Sequence, residues 1–202
     1  REQVPAVRLR LFGSVPEGTM VRRAGAKAGD RVFVTGTIGD AALGVALRGG
    51  KAKTWKLDDA QRQHLMSRYL LPQPRNVLAE AIRNHASAAM DISDGLVGDF
   101  GKLCRASGVA ADINVASVPV SDAAKTVIAG DAATLELVLT GGDDYEIICT
   151  VPNKKAESFR AAAKSAGVPI TELGELKTGE GARFIDAAGK PLVFKHASFS
   201  HF

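Results

Sequence analysis

The chain has 202 residues, of which 46% are hydrophobic and 24% charged, enough apolar material for one sizeable core. Its net charge is only +4, aromatics make up 5%, and the basic residues are scattered, which excludes the clustered cations and stacking rings of a nucleic-acid surface. No apolar run approaches the roughly 18 residues of a membrane span, and the opening "REQVPAVRLRLFG" mixes charge throughout, unlike a signal peptide; a cytoplasmic protein is expected. The first residue is Arg rather than Met, so a processed chain or a fragment is expected.

In chain order, "AVRLRLFGSV" alternates apolar and charged residues as a half-buried strand does. "DRVFVTGTIGD" predicts a strand and turn, and "AALGVALRGG" a short helix with a glycine stop. Residues 58–70 have acidic starters and helical spacing, "LPQPR" breaks the chain, and Asn76 to Asn84 predicts another helix. "ASAAMDI" is a strand and "DGLVGDFGKLCRASG" a helix ending at Gly108. "VAADINVASVPV" is a strand running to a proline, and two short helices reach Leu139. "DYEIICTVP" is a strand, "NKKAESFRAAAKSAG" a capped helix, and "GARFIDAAG" with "PLVFK" a hairpin. Mixed strand and helix order with an antiparallel end predicts an α+β, or mixed α/β, class. No repeat or low-complexity tract interrupts it.

Two short stretches carry the chemistry. In "MDISDGL" (90–96), Asp91, Ser93 and Asp94 gather where a strand gives way to a helix. Ser93 or Asp94 as a helix cap explains one of them but not Asp91 as well. Two carboxylates beside free helix N–H groups also suit Mg²⁺ carrying phosphates, because that ion takes one or two carboxylates and keeps its waters. Local chemistry leaves these two readings open. "LTGGDDYEI" (139–147) repeats the pattern with Gly141, Gly142, Asp143 and Asp144. It reads either as a plain polar turn or as a second acidic contributor to the same site. It also resembles the Gly-Gly-Asp-Glu-Phe turn of diguanylate cyclases, which sits between two strands; here the preceding "DAATLELVL" is predicted helical.

Other chemistry is thin. Cys104 and Cys149 are far apart without a Cys-x-x-Cys spacing, which predicts reduced, buried thiols. His64, His85, His196 and His201 lack metal-ligand spacing. Trp55, Met66 and Leu70 are expected to pack. "VTGTIGD" lacks the Lys-Ser/Thr ending of a phosphate loop and is read as a strand-turn-helix joint.

Five blocks in succession, "FGSVPEGTMVRRAGAKAGDRVFVTGTIGDAALG", "YLLPQPR", "MDISDGLVGDFGKLCRASGVAADI", "LTGGDDYEIICTVP" and "SFSHF", cover nearly the whole chain. Together they resemble the thiamine-monophosphate kinase family, within the wider aminoimidazole-ribotide synthetase-like group of ATP-using enzymes. Selenophosphate synthetases and hydrogenase-maturation proteins share that fold but not this set of blocks. The resemblance implies the C-terminal domain of that fold, a mixed sheet with helices packed on it, over residues 16–202. Residues 1–15 would be the trailing strand of an N-terminal ATP-binding domain that the sequence lacks, and the intact protein would be a homodimer.

The resemblance also implies roles. Asp91 and Asp94 correspond to Mg²⁺ ligands and Ser93 to an ATP contact. Arg23 corresponds to an arginine on the ATP phosphates, with Arg22 beside it as the alternative. Asp143 stands where the family's turn has a Glu that contacts thiamine, one methylene longer. Phe199 stands where an aromatic, often Trp, stacks on the substrate. The implied reaction moves the γ-phosphoryl of ATP onto thiamine phosphate, giving thiamine diphosphate. The acceptor oxygen is already ionised, so no side chain is assigned as a catalytic base or nucleophile; metals and arginine offset the clash of two anions. Alternatives are a nucleotide cyclase with Asp91 and Asp143 on metals for GTP, and a silent module that only binds substrate or dimerises.

Overall fold

The computed structural model describes residues 13–50 and 55–196. The first twelve residues, which include most of the proposed trailing strand, lie outside the described residues, as do Phe199 and His201.

Strand β1 (Asp30–Thr35) is buried on both faces: Val32 and Val34 enter one apolar cluster and Phe33 the other. Alternation therefore carries no polar side here, as expected of a central strand covered on both sides. It pairs antiparallel with β4 (Glu146–Pro152) and with β5 (Ile170–Glu175), and β4 pairs antiparallel with β2 (Ala88–Ile92). The resulting sheet has the order β2-β4-β1-β5. A second sheet, β6-β3-β7, is built from β3 (Val109–Asn114), β6 (Lys177–Thr178) and β7 (Gly181–Ile185), with β3 and β7 parallel.

Three helical layers close the structure. Helix α4 (Leu96–Ser107) lays Leu96, Phe100, Leu103 and Cys104 with β3 over one face of the large sheet. Helices α3 (Ala79–His85) and α7 (Ala156–Ser165) cover the other, where Phe159 meets Phe33 edge to face at 5.3 Å between centroids. Helices α1 (Asp40–Arg48), α2 (Asp59–Leu70), α5 (Asp122–Gly130) and α6 (Thr134–Thr140) form a third cluster around Leu43, Leu65, Val127 and Val138. No described helix is long and apolar enough to cross a membrane. The α+β class and the mixed sheets carrying helices agree with the sequence.

Four expectations need correction. β5 was not expected, because Thr171, Glu172 and Glu175 mask its pattern and a bulge between Val32 and Phe33 shifts its pairing. The hairpin partner "PLVFK" shrinks to a single bridge, Ile185 to Pro191, since proline brings no ladder N–H. Helix α7 has Lys155 at its cap position and no side-chain cap. Leu70 is more than half exposed rather than packed.

Candidate functional site

Antiparallel pairing of β2 with β4 sets Ile92 opposite Glu146. The end of β2 and the start of β4 are therefore neighbours, and the two acidic turns, some fifty residues apart in sequence, become one feature. Asp143 donates its backbone N–H to the Ser93 carbonyl (3.0 Å), and Tyr145 donates to Ile92 (2.9 Å). The approach is close enough that glycine is required. Gly95 sits at φ +102°, and a Cβ there would meet the Thr140 carbonyl; one on Gly142 would meet the Ser93 carbonyl.

The first turn is held from within α4. The helix cap is Gly95, which has no side chain, so neither Ser93 nor Asp94 caps it. Instead the buried carboxylate of Asp99 reaches back and accepts from Ser93 N (3.0 Å) and Asp94 N (2.8 Å). This leaves the carboxylate of Asp94 bound to Lys102 Nζ alone among the described residues, at 2.6 Å. Asp91 is exposed at the end of β2. A capping role for Ser93 or Asp94 is thus overturned.

The second turn stores strain. Asp143 and Tyr145 both take left-handed backbone angles, φ +71° and +51°, at about 1–2 kcal/mol for a residue with a Cβ. The Tyr145 hydroxyl donates to Asp143 Oδ1 (3.3 Å). Its phenol is held above its ordinary range, first by burial and then by the negative charges of Asp143, Asp91 and Asp94. Those three carboxylates therefore share one field around the ring. Beside them lies a mostly apolar cavity of about 240 Å³, lined by Ala42, Val45, Tyr69 and Leu137 with Asp143 as its acid.

Between the strained residues, Asp144 is buried and accepts from Gly39 N (2.7 Å) and Ala41 N (3.3 Å) at the start of α1, whose cap position is a glycine without a side chain. Burial pushes its carboxyl up to about 7, against the two backbone bonds and Arg68; Asp40 adds to the rise. From the ordinary 3.8 up to about 7, the folded chain keeps a proton that the unfolded chain releases. Stability therefore falls as pH rises through that window. Urea unfolding at several pH values is expected to show the decline reduced in Asp144→Asn by up to about 1.4 kcal/mol per pH unit. Parallel profiles for the two chains would mean that Asp144 is ionised throughout.

Glu146, fully buried, anchors the whole assembly: it accepts from Thr35 Oγ1 (2.6 Å), Arg68 Nη2 (2.8 Å) and Arg75 Nε (2.7 Å). Arg75 belongs to "YLLPQPR", which ties that block to the turn. Sequence reasoning missed Asp99, Lys102, Tyr145 and Glu146. One signal was available, an acid at Asp99 between the apolar Val97 and Phe100 of an otherwise buried helical stripe.

Arg23 is not brought in. It is exposed, and its carbonyl accepts from Ser107 at the far end of α4, on the order of 18 Å along that helix from the turn. Arg22 is likewise exposed, with its carbonyl on Ala89. Both cysteines are free and buried, and desolvation pushes each thiol up to about 12, which removes them from nucleophilic chemistry. His64 and Ser121 both bond the buried Asp40 at the start of α1, and His85 bonds the Ala81 carbonyl.

Among the described residues no group of three His, Cys, Asp or Glu side chains is placed to hold a metal ion. Asp91 and Asp94 are oxygen donors of the kind that Mg²⁺ takes together with water and phosphate oxygens.

A family model described as AIR synthase related protein, C-terminal domain, matches residues 27–187. The thiamine-monophosphate kinase of Salmonella typhimurium is 38% identical over 195 residues, covering 96% of this chain and 59% of that protein. The crystal structure of thiamine-monophosphate kinase from Stenotrophomonas maltophilia superposes with a TM-score of 0.78 at 33% identity, over 88% of this chain and 56% of that one. AaThiL complexed with AMPPCP and TMP superposes at 0.73 and 32%, over 90% and 54%.

Proposed function

This chain belongs to the AIR synthase related protein family through its C-terminal domain, and from that premise we propose that it serves the transfer of the γ-phosphoryl group of ATP onto thiamine phosphate. The observation that carries the reading is the joining of the two acidic turns by the Asp143–Ser93 and Tyr145–Ile92 hydrogen bonds. They bring the carboxylates of one turn beside a cavity of thiamine-ring scale bearing the acid of the other. The names of relatives fit: proteins similar over most of this chain are thiamine-monophosphate kinases, and one similar structure holds an ATP analogue together with TMP.

In this reading Asp91 and Asp94 hold Mg²⁺, which when bound neutralises phosphate charge. Ser93 faces the nucleotide. Asp143 meets the cationic ring system of thiamine at the mouth of its cavity, where Val45, Leu137 and Tyr69 supply an apolar wall. Arg23 is assigned to phosphate neutralisation and Phe199 to stacking on the substrate by the resemblance alone. Residues 16–202 form the C-terminal synthetase-like domain. A homodimer in the cytoplasm belongs to the same proposal.

The cyclase alternative needs its acidic turn between two strands; here the turn joins helix α6 to β4. Calorimetric titration with ATP, GTP and thiamine phosphate, with and without Mg²⁺, separates the readings. Saturable binding of ATP that requires Mg²⁺, together with binding of thiamine phosphate, is expected. Binding of GTP with both other ligands ignored would replace the kinase by the cyclase, and binding of thiamine phosphate alone would leave only a silent substrate module.

A further inference from the structure

Lys102 stands one helical turn beyond Asp99, and its ammonium lies between two carboxylates, 2.6 Å from Asp94 Oδ2 and 2.9 Å from Asp99 Oδ1. The two acids are not equivalent. Asp99 is buried and committed, its other oxygen accepting both N–H groups of the turn. The side chains of Asp94 and Lys102 are 40% and 33% exposed and can part without unpacking anything. We propose that Lys102 is a built-in counter-cation of the acidic turn, occupying Asp94 when no metal ion is there and setting how tightly a metal ion binds. The proposal rests on the reading of Asp94 as a metal ligand.

The physical argument is competition. An ammonium and a divalent cation cannot share one carboxylate at contact distance without strong mutual repulsion. Binding of the ion at Asp94 is therefore an exchange, and the apparent affinity is lowered by the strength of the Lys102 pair. The long, flexible Lys stem lets the ammonium swing aside while Asp99 keeps the turn in shape. A lysine so placed holds Asp94 in position without the ion and opposes occupation by stray cations.

The experiment is a titration of the chain with Mn²⁺ alone, the free ion being followed by electron paramagnetic resonance. Lys102→Met is expected to tighten Mn²⁺ binding about five- to tenfold, the scale of a partly exposed ion pair removed together with its repulsion. Lys102→Arg, which keeps the charge, is expected to stay near the parent. In an Asp94→Asn background, Lys102→Met is expected to change little. Equal or weaker binding by Lys102→Met, with Mn²⁺ still bound in an Asp94-dependent way, overturns the role of Lys102 while leaving the metal at the turn. Absence of Asp94-dependent binding in both parent and Lys102→Met overturns the metal assignment itself, and the competition with it.

Discussion

If the proposed function holds, Asp91→Asn and Asp94→Asn in the intact enzyme are each expected to lower thiamine diphosphate formation about 100-fold or more, since even residues one step removed from a metal cost 10–100-fold. Both are expected to leave the unfolding free energy within about 1 kcal/mol of the parent. The separation follows from where the turn's own hydrogen bonds go. Its N–H groups are satisfied by Asp99, and the helix cap is Gly95, so neither acid supports the helix. Asp94→Asn loses only the partly exposed Lys102 pair. Turnover measured against urea midpoints on the same preparations checks this. Parent-like turnover in both variants would retire the metal-ligand assignment; a collapse in stability would show that the turn depends on these carboxylates for its shape. Asp99→Asn should behave in the opposite sense, weakening the turn first.

The largest effect on stability is expected from Glu146→Ala, about 3–5 kcal/mol, the range for removing one partner of a buried ion pair. Glu146 is fully buried and receives Arg68, Arg75 and Thr35 together. Without it, the buried Arg68 keeps one weak bond, to the Asp144 carbonyl at 3.3 Å, and its Nη1 already has no partner among the described residues. A buried guanidinium left in that state carries its full desolvation penalty. A loss of this size is a large share of the 5–15 kcal/mol that holds a typical domain together. The measurement is the shift in urea midpoint at unchanged slope. A shift equivalent to less than about 1 kcal/mol would mean that water reaches the network and screens it. Because Glu146 opens β4 directly after the strained turn, the same variant should also loosen Asp143 and Tyr145.

Several elements were readable because local chemistry and tertiary context agree. Helix α2 opens on Asp58, whose side chain and that of Gln61 form a reciprocal cap, and α4 closes on left-handed Gly108. The acidic turns were legible as unusual, since two carboxylates at a strand end ask for a reason. What could not be read was that they touch. That contact depends on β2 lying antiparallel to β4, a long-range pairing that no local pattern specifies. The cap reading of Ser93 or Asp94 fails because the cap position falls on Gly95, while the buried Asp99 takes up the N–H groups of Ser93 and Asp94. Lys102 became visible only once the helix placed it over that acid. β5 failed because its outward acids, Glu172 and Glu175, meet Arg31 and Arg160 across neighbouring elements, so its polarity is paired rather than solvated.

Paramagnetic broadening of backbone amide signals by Mn²⁺ in the presence of ATP reaches the heart of the account. If the two turns form a single seat for cation and phosphate, amides of residues 93–95 and 141–145 should broaden together at substoichiometric metal, while those of helix α7 stay sharp. Broadening elsewhere on the molecule, with both turns unaffected although ATP is bound, would contradict it.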